Sequence, residues 1–349
     1  MKISGPIDFG QMYEQGAPIL LGRVYGWFHQ KNIAMKTQSN AQAEQVHIAP
    51  FSIRQGLVGL SLDQTDEKTL EYLSFLTGKI SAEALYFLHV VPDSWVRNPF
   101  PEEIEIDTSL AQSEWQLSDS IIGAMKAQID KWLGQKQGCN IEFDLRHGDP
   151  LEEFLHQAQE LNVDLAVVGK DTRSGDHGII GRKLVRKVQA NALVIPDRAK
   201  PGIHRIVVPV DFSQNSKRAM EAALSLWLAL DQEPELIALH VYELPSLSSY
   251  RLSRPFEHLK KIVEGNIRDG FEAWTRTFFP EHTHAIRREL HGRDMPSPAP
   301  YILEAADELA ADFIVMGAKG HSKVELLLMG SVTEKLLTIN DNYPVLVVK

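Results

Sequence analysis

The chain reads as an α/β protein built from two tandem five-stranded, mostly parallel doubly wound sheets, and three observations lead there. Short runs rich in Val, Ile and Leu alternate with segments whose apolar residues recur at helical spacing. That alternation implies right-handed crossovers and a sheet buried on both faces. The whole order then repeats with an offset of roughly 148 residues, as in a duplicated unit. Finally, 349 residues are enough for two units that each bury a core.

Residues 1–54 show no clear periodicity and read as an irregular N-terminal extension. The first unit spans 55–197. It opens with G-L-V-G-L-S-L-D at 56–63, a strand-like run ending in Asp63, followed by helix-compatible T-D-E-K-T-L-E-Y-L-S-F-L. A-L-Y-F-L-H-V-V at 84–91 is the second strand, and Pro92 ends it. A loop leads to a helix over 115–134, and 141–145 alternates like a strand. H-G-D-P at 147–150 turns into the helix L-E-E-F-L-H-Q-A-Q-E-L, and D-L-A-V-V-G at 164–169 is the fourth strand. Leu184 and Val188 mark a short helix, and 192–195 is the fifth strand. Residues 198–204 form the linker.

The second unit, 205–349, repeats this order. I-V-V-P-V-D at 206–211 ends at Asp211 as the first strand of the other unit ends at Asp63. The strand L-I-A-L-H-V-Y at 236–242, the helix over 256–278, the strand at 284–290 and H-G-R-D at 291–294 follow, and the helix Y-I-L-E-A-A-D-E-L-A leads to the run at 313–316. P-V-L-V-V closes the chain at 344–348.

The most informative stretch is 312–337. Gly317 and Gly320 break its apolar run, and Gly330 and Ser331 precede a helix-compatible segment at 332–337. Glycines that close a strand, together with a Gly-Ser pair that opens a helix, gather backbone N–H groups around a volume suited to phosphate. Ordinary loop glycines and a plain Ser331 helix cap account equally well for the spacing.

Composition bounds the function. A formal charge of −10 argues against general nucleic-acid binding, which needs clustered Lys and Arg. One cysteine, Cys139, excludes an internal disulfide framework. No stretch reaches the 18 or more apolar residues of a membrane span, and the opening residues lack a leader pattern, so a cytoplasmic location is expected.

With G-x2-G-x9-G-S in place, V-P-V-D-F-S at 208–213, A-L-H-V at 238–241 and the closing P-V-L-V-V, residues 56–349 resemble the universal stress protein (UspA) family in its tandem form. The resemblance implies an adenine nucleotide alpha hydrolase-like fold with strand order 3-2-1-4-5. It also implies that the last strands of the two units pair as an intramolecular pseudo-dimer, with a homodimer as a further assembly. The implied ligand is ATP, with Mg2+ bridging the phosphates and no protein ligand identified for the metal. Asp211 and the Val241 backbone, with Pro209 nearby, would hold adenine, while Gly317, Gly320, Gly330 and Ser331 would hold ribose and phosphates. His321 reads either as a phosphate contact or as a loop residue. For Asp211 taken alone, a helix cap beside Ser213 is the alternative.

The first unit departs from the motif. Gly169 stands for Gly317, Thr172 for Gly320, and Gly181-Arg182 for Gly330-Ser331 with one residue fewer between. There Arg182, Lys183, Arg186 and Lys187 read as a solvated helix face or an anion patch. No set for efficient phosphoryl transfer stands out, since Gly320 is followed by His-Ser rather than by the Lys-Ser of a P-loop. The expected role is a nucleotide-dependent sensor or adaptor with an unidentified protein partner. A slow ATP hydrolase and a nucleotide-free scaffold are the alternatives, and catalysis stays open.

Overall fold

The computed structural model describes residues 47–92, 108–134, 138–173, 177–243, 256–320 and 329–349. His321 and most of the N-terminal extension lie outside the described residues. The first half comprises β1 (Ser52–Leu60), α1 (Gln64–Lys79), β2 (Ser81–Val91), α2 (Thr108–Leu133), β3 (Asn140–His147), α3 (Pro150–Glu160), β4 (Leu165–Lys170), α4 (His177–Lys187) and β5 (Asn191–Pro196). The second comprises β6 (Arg205–Pro209), α5 (Gln214–Ala229), β7 (Glu235–Glu243), α6 (Phe256–Phe278), β8 (Ile286–Arg293), α7 (Ala299–Glu308), β9 (Phe313–Gly317), α8 (Ser331–Ile339) and β10 (Val345–Val348).

The expected pairing of the last strands of the two units is present, and it joins the two expected sheets into one. The strands form a single sheet in the order β3-β2-β1-β4-β5-β10-β9-β6-β7-β8 rather than two separate sheets. Within each half every pairing is parallel, and the halves join through the antiparallel pair β5–β10, where Val194 faces Val345 and Leu193 faces Leu346. The cause lies in the two strands themselves. Both are apolar on both faces, so as free edges they would expose unpaired backbone and greasy side chains. Burying each Val or Leu is worth about 1.5–3 kcal/mol.

Alternation along the strands divides the core into two layers. Val58, Val167, Val208 and Val315 face α1, α2, α5 and α6, whereas Leu57, Ala166, Val207 and Ile314 face α3, α4, α7 and α8. Side chains also cross the seam. The Lys170 ammonium donates to the carbonyls of Thr338 at 3.1 Å and Asn340 at 2.5 Å, and to Asp341 at 3.0 Å, at the C-terminal end of α8. Ahead of β1, the Phe51 amide donates to the Ser225 carbonyl of α5, and β1 begins at Ser52, earlier than the pattern indicated.

The duplication extends to single hydrogen bonds. Asp164 accepts from the amides of Arg54 and Gln55, and Asp312 accepts from those of His204 and Arg205. Leu62 and Phe212 both adopt positive φ, 59° and 64°, just before the helix that follows the first strand of each half. In both halves a histidine of the second strand contacts the carbonyl just ahead of that bend, His89 with Leu60 at 2.9 Å and His240 with Val210 at 2.7 Å. The repeated bends fix the register between the halves, and it differs from the one read in the sequence. Asp63 caps α1 and matches Ser213, which caps α5, so the counterpart of Asp211 is Ser61.

Candidate functional site

In each half the strand order reverses between the first and fourth strands, which in the second half are β6 and β9. A cavity of about 240 Å³ opens at their C-terminal ends, the usual position for a ligand in such a sheet. Seven residues singled out in the sequence line it. Pro209 and Asp211 come from the end of β6, Val241 from β7, Gly317 and Gly320 from the end of β9, and Gly330 and Ser331 from the start of α8. The fold therefore gathers four distant segments around one volume.

Local geometry gives each segment its shape. The Asp211 carboxylate accepts from the Ser213 amide at 3.0 Å, and Ser213 itself caps α5 by accepting from the Ser216 amide at 3.2 Å. Asp211 thus shapes the turn, while the capping role passes to Ser213. A methyl group built on Gly320 would lie 2.8 Å from the other Asp211 oxygen, so only glycine lets the loop pass so close to that carboxylate. Gly317 serves packing as well as access, since a methyl there would meet the Asn215 carbonyl oxygen at 2.8 Å. Its own carbonyl accepts from the buried Thr333 hydroxyl at 2.9 Å.

The start of α8 closes the far side. Gly330, with φ −76° and ψ 150°, is the N-cap residue, and Ser331 is the first helical one, so the alternative that Ser331 is the cap is corrected. The Gly330 amide donates to the Ala318 carbonyl at 2.7 Å and pins the helix start to the loop after β9. Gly330 brings no side-chain cap, so the positive end of the helix is left to the cavity.

Sequence reasoning missed several lining residues. Lys319 lies between the two glycines and was legible there as a cation on the same loop. Thr333 follows Ser331 by two positions on the same helix. Ile302 and Pro298 come from α7, and only the folded crossover brings them to the cavity. Near this end of the sheet, burial and the adjacent Lys319 lower the Lys349 ammonium from its ordinary 10.5 to about 8.

The same place in the first half is occupied by the protein itself. Gly59 stands where Pro209 stands, and a methyl built on it would lie 3.1 Å from a ring carbon of the buried Phe154, the counterpart of Ile302. Asp66, the counterpart of Ser216, turns inward and accepts from the amides of Ser61 at 3.0 Å and Leu62 at 2.6 Å. Burial raises this carboxyl from 3.8 to about 6, against the lowering effect of those two donors. Arg182 donates to the Thr338 hydroxyl at 2.7 Å, and Arg186 lies 4.0 Å from Glu334. These two arginines reach across the seam to α8 through exposed contacts, and Lys183, Arg186 and Lys187 remain on the solvated face that was one of the two expectations.

Among the described residues no three His, Cys, Asp or Glu side chains converge as a metal site, and no helix is long and apolar enough to cross a membrane. Comparison with known proteins places this geometry in context. The model of the Universal stress protein family matches residues 202–349. The Thermus aquaticus universal stress protein in QAH/OAS sulfhydrylase 3'region is 34% identical over 146 residues, covering 41% of this chain and 97% of that protein. Universal stress protein MJ0531 of Methanocaldococcus jannaschii is 29% identical over 146 residues, 42% of this chain and 81% of its own length. Among solved structures, a universal stress protein from Archaeoglobus fulgidus aligns with a TM-score of 0.56 at 18% identity, covering 84% of this chain and 98% of that one, so the likeness in fold extends over both halves.

Proposed function

The chain belongs to the universal stress protein family, and from that premise we propose that its second half binds ATP and acts as a nucleotide-dependent sensor or adaptor in stress response. One observation carries the reading, namely that the cavity at the strand-order reversal of the second half is lined by the residues of the glycine motif together with Pro209, Asp211 and Val241. We divide the chain at the same points, with one adenine nucleotide alpha hydrolase-like unit at 55–197, a linker at 198–204 and a second unit at 205–349.

The cavity fits the ligand's chemistry. Leu239, Ile302 and Met316 give it apolar walls for a base, and the loop of Gly320 and the start of α8 give it a polar end. At about 240 Å³ it is smaller than a pocket that encloses a whole drug-sized ligand. Base and sugar would sit inside, with the phosphates at the mouth. Asp211 and the Val241 backbone would hold adenine, and Gly317, Gly320, Gly330 and Ser331 the ribose and phosphates. A magnesium ion would enter with the phosphates and neutralise their charge, and the chain's own contribution is to bind and orient.

The test is the nucleotide content of freshly purified protein, released by denaturation, for the parent and for Gly330→Val. A methyl on Gly330 would lie 3.3 Å from the Lys319 Cα, so valine crowds the loop against the helix start. The expected result is about one adenine nucleotide per chain in the parent and almost none in the variant. An empty parent that also gives no binding heat with added Mg-ATP would sink the reading in favour of a nucleotide-free scaffold. Phosphate release above the buffer rate that disappears in Gly330→Val would instead make the protein a hydrolase.

A further inference from the structure

Resting on the nucleotide reading, we propose that Lys319 reads the charge of the ligand's tail, so that the cavity takes a nucleoside di- or triphosphate in preference to AMP, cyclic AMP or adenosine. Lys319 lines the cavity on the loop between Gly317 and Gly320, and it is half-buried. Its Cα lies beside Gly330, where a methyl group would come within 3.3 Å of it. Gly330 is the N-cap of α8 and offers no side chain to the first turn of the helix. A lysine and the positive end of a helix therefore stand together at the mouth of the cavity.

Among the described residues the charges around this point are unbalanced. Lys319 forms no hydrogen bond or ion pair with another described residue. A second cation, Lys349, lies nearby, its ammonium donating to the Val185 carbonyl at 2.5 Å and held below its ordinary range by burial first and by Lys319 second. Against these stands Asp211, one of whose oxygens is engaged by the Ser213 amide. Among the described lining residues, one lysine and a helix end face one carboxylate, which leaves roughly half a positive charge to be met by the ligand. A base and sugar bring none, a phosphodiester one, a monophosphate two, and a polyphosphate tail without bound metal three or more. The first half shows the contrast, since at the register of Gly169 with Gly317 the counterpart of Lys319 is Asp171, which accepts from the Arg173 amide at 2.8 Å. An acid there repels the anion that a lysine attracts.

The experiment is calorimetric titration of the full chain with ATP, ADP, AMP, cyclic AMP and adenosine, for the parent, Lys319→Met and Lys319→Arg. Thermal unfolding of each variant checks that it is folded. Close charge pairs at an interface commonly couple strongly, so the parent is expected to prefer ATP over AMP by about 100-fold. Lys319→Met should lose about 10-fold or more in ATP affinity while adenosine changes by less than about 2-fold, and Lys319→Arg should recover most of the loss. ATP binding should also weaken with added salt, more steeply in the parent than in Lys319→Met. If the parent binds adenosine as tightly as ATP, or if Lys319→Met weakens every ligand alike, Lys319 does not read the tail and the nucleotide site stands without it. Failure of all five compounds to bind the parent would overturn the nucleotide reading and this inference together.

Discussion

The two halves share the residues that build the sheet and differ in those that would make a site. Both keep the aspartate that anchors the first strand, the positive-φ bend, the histidine contact and the glycine against which the following helix packs, Gly169 beside Thr65 and Gly317 beside Asn215. At the strand ends they part. The first half holds a phenylalanine ring, an inward carboxylate and Asp171 where the second holds Ile302, Ser216 and Lys319. A handful of side chains is thus enough to fill a site while the scaffold around it persists, because the bonds that fold the sheet lie elsewhere.

The sharpest way to break this comparison is to empty the filled half. Phe154 is 3% exposed with its ring against Gly59, so Phe154→Ala removes a buried ring that nothing else replaces. The expected loss is about 3–5 kcal/mol by urea denaturation. Ile302→Ala stands at the wall of a cavity that is already open and should cost about 2 kcal/mol. If Ile302→Ala proves the more damaging, the ring is not what fills the first half.

The next effect depends on pH. Asp66 is buried, and its carboxyl is raised from 3.8 to about 6, so the folded chain favours the neutral form. Its contribution to stability is fully present below about pH 3.8 and is lost as the pH rises through 6. That loss is worth at most about 3 kcal/mol. Asp66→Ser installs the residue of the other half and removes the titration. Plotted against pH from 4 to 7, the stability of the parent minus that of the variant should therefore fall. A rise would show that the amides of Ser61 and Leu62 outweigh burial and hold the group ionised.

The sequence made the strands legible because parallel strands buried on both faces leave unbroken apolar runs, as at β4, β5, β9 and β10. It made the glycine motif legible because glycine is conspicuous at fixed spacing. The pairing of β5 with β10 followed from the family resemblance and not from the strands themselves, since two apolar edges can be covered in more than one way. The sequence did not show Phe154 or Ile302, whose roles depend on a crossover that folds α3 or α7 back over the strand ends. The register of Asp63 was misread because a bend at a leucine or phenylalanine leaves no trace in composition. Asp63→Ala tests the corrected register. Removing the α1 cap should cost about 1 kcal/mol and leave ATP affinity unchanged, whereas Asp211→Ala should shift stability by about 0.5 kcal/mol or less and weaken ATP binding by about 10-fold. Equal effects of the two substitutions on ATP would restore the first register.

The smallest effect concerns the seam helices. Arg186 lies 4.0 Å from Glu334 with both side chains about half exposed, and Arg182 donates to an exposed threonine hydroxyl. Water screens such contacts, and holding long side chains in place opposes them entropically, so the double variant Arg182→Ala, Arg186→Ala should lose less than about 1 kcal/mol. Its ATP affinity should match the parent's, because these contacts fall at Glu334 and Thr338, while the cavity meets only residues 330–333 of this segment. A clear loss of ATP binding in this variant would mean that the first half controls α8 from the seam. The two halves would then be one ligand-responsive unit, and the filled half would have kept a part in the function whose site it lost.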